Sequence, residues 1–310
     1  MSGTWRDYLG LGLALGALVL VFGGLTDHFL SRATFAAIAS QVPAAILVAV
    51  GMTFVLIVGG IDLSVGSVLG LAGAVLGASL GPLGLSLPLG LLAALLAGLL
   101  CGALNGALSV YAGLPSFIVT LGMLEMARGA AYTVSHSQTA YLGARVEWIA
   151  ETTVLGLSLP ALGALAAAAL GQVVLSRTIF GRYVVAIGTN EEAVRLSGID
   201  PRPVKWIVFA LSGMLAGLAA VVHTARLASA DPNAGSGLEL QAIAAVVIGG
   251  TSLMGGRGSV IHSLFGVVII AVLGTGLAQM GAAEPVKRLI TGVVIVAAVA
   301  FDRYRNRREG

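Results

Sequence analysis

Residues 177–205 read RTIFGRYVVAIGTNEEAVRLSGIDPRPVK. The charges in this stretch are Arg177, Arg182, Glu191, Glu192, Arg195, Asp200, Arg202 and Lys205. Outward in either direction the sequence turns apolar, over runs matching the ~20 residues a helix needs to cross a bilayer. One polar island between two oily halves predicts membrane helices on each side. It also predicts that contact with a soluble partner is concentrated in the middle.

Composition agrees. Of 310 residues, 57% are hydrophobic and 10% charged, and mean hydropathy is +0.99. A soluble domain carries about 25% charged residues, and a globule of this size has too little interior for so much apolar surface. Lipid is therefore the solvent. The 44 glycines suit helices that pack backbone to backbone. The net charge of +3 sits at span ends, with no basic stripe interleaved with aromatics, so nucleic acid is not the expected partner. Cys101, the single cysteine, can make neither an internal disulfide nor a thiolate metal site. His28, His136, His223 and His262 lack ligand spacing, so no metal is expected.

Ten apolar segments stand out: 9–27, 41–61, 64–80, 85–111, 115–134, 153–175, 205–228, 238–252, 260–280 and 286–301. Helix is nearly forced, because backbone amides cannot stay unpaired in lipid. The expected fold is an all-α polytopic membrane protein of about ten transmembrane helices. It forms one domain, 1–310, with a loop at 176–204 between two helix bundles. Segment 238–252 is short, which predicts a re-entrant or broken helix. Segment 9–27 lacks a following A-x-A site and reads as a retained helix rather than a signal.

Ten crossings put both termini and the island on one side. That side collects Arg6, Arg177, Arg182, Arg195, Arg202, Lys205, Arg257, Arg303, Arg305, Arg307 and Arg308. The other side receives Arg32, Arg145, Arg226, Lys287 and Arg288, while Arg128 lies inside a span. The positive-inside rule makes the island and both termini cytoplasmic.

Small residues recur at helix spacing. Gly66, Gly70, Gly73 and Gly77 share one face; so do Gly98, Gly102 and Gly106, and Gly213 and Gly217. These faces predict close helix packing. A weak internal repeat links VLIVGGIDLSVGSVLGLAG (55–73) to VVIGGTSLMGGRGSVIHSLFG (246–266), and duplicated halves are common in transporters.

Within the island, Thr189 and Glu192 have capping-box spacing, and Glu191 and Glu192 suit the positive end of a helix dipole. Gly198 fits a C-terminal stop, with Pro201 and Pro203 beyond it. A short helix is therefore expected from Asn190 to Ser197. Its Ala193, Val194 and Leu196 are candidates to enter a partner's groove; an amphipathic helix resting on lipid is the alternative.

Glu192-Ala193-Val194-Arg195-Leu196-Ser197-Gly198 resembles the Glu-Ala-Ala-x-x-x-Gly loop of ATP-binding-cassette (ABC) importer permeases, with Val in place of the second Ala. GGIDLSVGS (59–67), GLPSFIVTLGML (113–124), AIGTNEEAVRLSGI (186–199) and VVIGGTSLMGGRGSV (246–260) extend the resemblance to the monosaccharide (ribose/xylose/galactose) branch over roughly 40–300. The resemblance implies a permease in the bacterial inner membrane, working as a dimer, with homodimer expected. It implies a cytoplasmic ATPase docked on the island helix (Thr189, Asn190, Glu191, Glu192, Ala193, Val194, Arg195, Leu196 and Gly198) and an extracytoplasmic binding protein that delivers the sugar. The chain has only Lys205 and Lys287, both after Val, so it holds no P-loop Gly-Lys-[Ser/Thr]. ATP and Mg²⁺ are then expected on the partner and no cofactor in this chain, which is not expected to be an enzyme. Autoinducer-2, inositol or a nucleoside is the alternative cargo; an ion-coupled secondary transporter is the alternative class.

Seven residues are candidates for a translocation pathway or gate. Asp62 and Ser64 follow Gly59-Gly60 between two spans, where a carboxylate either caps the next helix or lines a pore, as interrupted helices do in transporters. A charge at mid-bilayer costs about 2.5–3.5 kcal/mol or more. Glu125 and Arg128 lie three apart in one span, on one face, where they are expected to neutralise each other. Asn105, Ser116 and Thr120 offer the amide and hydroxyl partners that a sugar needs. Asp231, Pro232, Asn233 and Glu239 sit in an expected external loop, either solvated or touching the binding protein.

Overall fold

The structure, a computed structural model, describes residues 5–154 and 156–306. Arg307 and Arg308 of the charge count lie outside them.

The chain is a bundle of helices. In order they are α1 (Trp5–Leu25), α2 (Arg32–Ile57), α3 (Val65–Leu80), α4 (Leu87–Val110), α5 (Ser116–Ser135), α6 (Ala144–Glu151), α7 (Leu159–Arg177), α8 (Ile179–Thr189), α9 (Glu191–Leu196), α10 (Arg202–Leu227), α11 (Leu238–Ile248), α12 (Val260–Gln279) and α13 (Glu284–Asn306). Among the described residues four two-residue strands pair antiparallel: β1 (Ala140–Tyr141) with β4 (Ser229–Ala230), and β2 (Thr153–Val154) with β3 (Leu157–Ser158). Each of the ten apolar segments carries a helix. Among the described residues six helices, α1, α2, α4, α7, α10 and α12, are long and apolar enough to cross a membrane. The chain is thus a multi-pass, all-α membrane protein.

Three expected boundaries are corrected. Segment 153–175 begins as the β2–β3 hairpin, and α7 starts at Leu159, where the Ser158 hydroxyl caps it by accepting from the Ala161 amide. Segment 41–61 stops at Ile57 because Gly59 takes φ +84°, a left-handed turn that glycine adopts without strain. The island holds two helices, not one: α8 precedes α9, capped by the Thr178 hydroxyl on the Gly181 amide.

The core centres on α2, buried from Ala44 to Val58 apart from a half-buried Ala45, with α10, α12 and α7 packed around it. The predicted glycine faces do close packing. On α4, a Cβ at Gly98 or Gly102 would strike the backbone of α10 at Gly213, and Gly213 meets both in return. Large side chains there would force α4 and α10 apart.

Candidate functional site

Five of the seven pathway candidates meet at the break between α2 and α3. The Asp62 side chain is buried. Its Oδ1 accepts from the Ser64 amide (3.0 Å) and the Ser64 hydroxyl (2.7 Å). Its Oδ2 accepts from the Ser212 hydroxyl of α10 (3.0 Å). Asn105 of α4 donates from Nδ2 to Ser64 Oγ (2.9 Å). From α5, Ser116 Oγ accepts the Ile61 amide (3.1 Å), and Thr120 Oγ1 accepts the Leu63 amide and donates to the Ile61 carbonyl, both at 3.1 Å. The interrupted backbone therefore has its polar groups satisfied by side chains from other helices, which is what membrane depth demands of a break. Asp62 fixes the N-cap residue Ser64 itself instead of reaching the first-turn amides of α3. Among the described residues Asn105 Oδ1 is buried without a partner.

The Glu125–Arg128 pairing is corrected. Arg128 turns to the loop after α10, donating from Nη1 to the carbonyls of Pro232 (2.7 Å) and Ala234 (3.2 Å). Tyr132 adds a bond to Asn233 Oδ1 (2.7 Å). No ion pair joins Glu125 to Arg128 among the described residues, and Glu125 is exposed on the outer side of α5. Two free backbone carbonyls held at the right distance win over a flexible partner one turn away. The loop 231–237 thus folds in against α3 and α5: a Cβ on Gly70 would meet the Ala234 and Pro232 carbonyls, and one on Gly66 would meet Glu239 and Gly235.

At the island, Asn190 and not Thr189 caps α9, its Oδ1 accepting the Ala193 amide (2.9 Å). Thr189 ends α8 and donates to the Val185 carbonyl (2.8 Å). Glu192 pairs with Arg195 (2.7 Å), and its carboxylate holds the guanidinium above its ordinary pKa. Lys205 ties Glu191 to the start of α10 (2.8 Å). Gly198 closes the helix at φ +84°. Val194 packs inward, so of the three apolar candidates only Ala193 and Leu196, the latter 79% exposed, face outward.

Sequence reasoning missed α8, although Thr178 and the apolar spacing of Phe180, Val184 and Ile187 signalled it. Gly188 of α8 lies against the Ile57 carbonyl and Gly256, where a Cβ has no room. It also missed Gln172 of α7, whose Oε1 accepts from the Ser259 hydroxyl (3.2 Å) and the Val260 (2.9 Å) and Ile261 (3.3 Å) amides at the start of α12.

A cavity of about 750 Å³ lies between island and break. Gly59, Gly60 and Ser116 line one wall; Glu191, Arg195, Asp200 and Lys205 line the other. The direct packing of α8 on the end of α2, at Gly188, lies outside this cleft.

The model of the family described as branched-chain amino acid transport system / permease component matches residues 34–299. The ribose import permease protein of Bacillus subtilis (strain 168) is 40% identical over 302 residues, covering 96% of this chain and 93% of its own. The ribose import permease protein of Escherichia coli (strain K12) is 37% identical, covering 94% and 92%. The D-allose transport system permease protein of the same organism is 36% identical, covering 96% and 92%. No solved structure matches the chain. The chain belongs to this permease family, and these relatives, matched along nearly their whole length, are sugar-import permeases.

Proposed function

We propose that this protein is the membrane-spanning subunit of an ABC importer that carries a monosaccharide, a pentose or hexose, into the cell. The cargo reading rests on the ribose and allose relatives. ATP is hydrolysed by a separate cytoplasmic subunit, an extracytoplasmic binding protein supplies the sugar, and two copies of the permease form the pore. The chain crosses the inner membrane ten times, with both termini and the island in the cytoplasm.

The observation that carries this reading is α9, a capped helix tied to α10 by Glu191–Lys205 and preceded by α8, whose Gly188 packs on the end of α2. A soluble motor needs such a handle, with a stiff surface outside and a mechanical connection inside. Co-purification with its partner ABC ATPase tests the assignment. Glu192→Lys and Gly198→Pro should each lose most of the bound ATPase while the permease stays at normal level in the membrane. Undiminished binding in both variants removes α9 from the docking surface.

A further inference from the structure

Two outward faces of the bundle both expose large apolar side chains, among them Phe117, Leu121 and Met126 on α5, but only that of α5 also carries a carboxylate and open glycines. On α4, Leu96, Leu100 and Leu104 form a plain exposed leucine stripe, as a lipid contact requires. On α5, Ile118, Gly122, Glu125, Gly129 and Thr133 fall at i, i+4, i+7, i+11 and i+15 and are all exposed. Gly122 and Gly129 have nothing within 4 Å of an added Cβ, unlike the glycines of α4 that meet α10.

Glu125 lies on the outer face near the middle of α5. Five residues before it, Thr120 bonds the α2–α3 break; three residues after it, Arg128 bonds the loop folded in from the far end. Ionisable side chains at that depth face a bundle interior or a water-filled cavity, not hydrocarbon. The buried side of α5 is already taken by Val119, Thr120, Met123, Ala127 and Ala131, so Glu125 cannot turn inward.

We propose that Glu125 contacts the transported sugar: the outward face of α5 is one wall of the path, and a second copy of this chain supplies the opposite wall. The proposal rests on the importer reading above. A carboxylate is a strong acceptor for sugar hydroxyls, and bare glycines one turn to either side leave room for a ring to pass. The two Glu125 side chains then face each other across water, so the site is incomplete in one copy.

The test uses the single native cysteine, which is buried. In a Cys101→Ser background, Gly122→Cys, Glu125→Cys and Gly129→Cys are compared with Leu100→Cys in the assembled complex. The α5 positions should react with a charged, membrane-impermeant thiol reagent and cross-link copy to copy, while position 100 should do neither. Position 100 reacting while the α5 positions stay silent means that α5 faces lipid, and the proposal fails. In wild-type-cysteine protein, Glu125→Leu should lower ATP-dependent uptake of labelled ribose about tenfold or more, the scale of one lost hydrogen bond to a charged acceptor. Glu125→Gln should recover part of it. Wild-type uptake by Glu125→Leu also overturns the proposal. If Glu125→Leu is poorly inserted, the cysteine results decide. If the wild-type complex moves no sugar, the importer reading fails, yet the cysteine results still report where α5 faces.

Discussion

After Ile57 the chain leaves its helix through Gly59 at φ +84°, with the Gly59 amide on Leu56 and the Gly60 amide on Val55. After Ile248 it does the same through Gly250 at φ +80°, with the Gly250 amide on Val247 and the Thr251 amide on Val246. The sequence echo between 55–73 and 246–266 is thus an echo of one turn. Beyond the turn the two copies diverge. The first break is clamped by side chains of α4, α5 and α10 around the buried Asp62 carboxylate. The second runs out to Met254, which is 88% exposed, and returns to Gln172 of α7. The Gly256 amide then donates to the Ile57 carbonyl (2.9 Å), so the second break rests on the end of the helix that leads into the first. Repeating a backbone turn does not repeat its chemistry. One copy is locked among the helices; the other joins the island side of the molecule to the lock.

The largest way to break this contrast is Asp62→Ala. It strands the Ser64 amide and the Ser64 and Ser212 hydroxyls, and should cost about 3 kcal/mol, since each buried donor left unpaired is expensive. Asp62→Asn keeps the shape and an acceptor, and should cost about 1–2 kcal/mol. Thermal unfolding of the purified protein in detergent reads both, and full stability in Asp62→Ala would show that the first break is not held by its carboxylate. Next comes the joint between the breaks. Gly188→Ala puts a Cβ on the Ile57 carbonyl and should cost about 2 kcal/mol, within the range of overpacking. Uptake should fall with it, because the same contact links α8 to α2.

The architecture was legible because lipid leaves few choices. Span length and amide satisfaction made helices of the apolar runs, and the spacing of Gly98, Gly102 and Gly106 marked the face that meets α10. Local chemistry was legible only to the nearest residue. Thr189 and Asn190 both cap well, and which one does is decided by α8, whose last turn claims Thr189. Partners distant in sequence were not legible. Nothing in the spacing around Arg128 points to Pro232, 104 positions on, or in Gln172 to Val260. Spacing pairs side chains within one helix, and the favoured partner here was backbone presented by another part of the fold.

Two smaller substitutions sharpen the contrast from the second break. Gln172→Ala removes the acceptor that caps α12 and should cost about 1 kcal/mol, the usual worth of a lost cap; Gln172→Glu keeps the acceptor and should cost less. A loss matching Asp62→Ala would mean that both breaks are equally clamped. Met254→Ser should leave stability within about 0.5 kcal/mol, as a surface change away from any cap or contact. Its interest lies in the partner. Met254 stands exposed in the 249–259 loop, whose Gly256 lies against Thr189, the residue that leads into α9. If the ATPase spans α9 and this loop, Met254→Ser should weaken its co-purification while Gln172→Ala does not, although Gln172→Ala is the less stable protein. Equal binding in both would confine the docking surface to the island and leave the second break a purely internal strut.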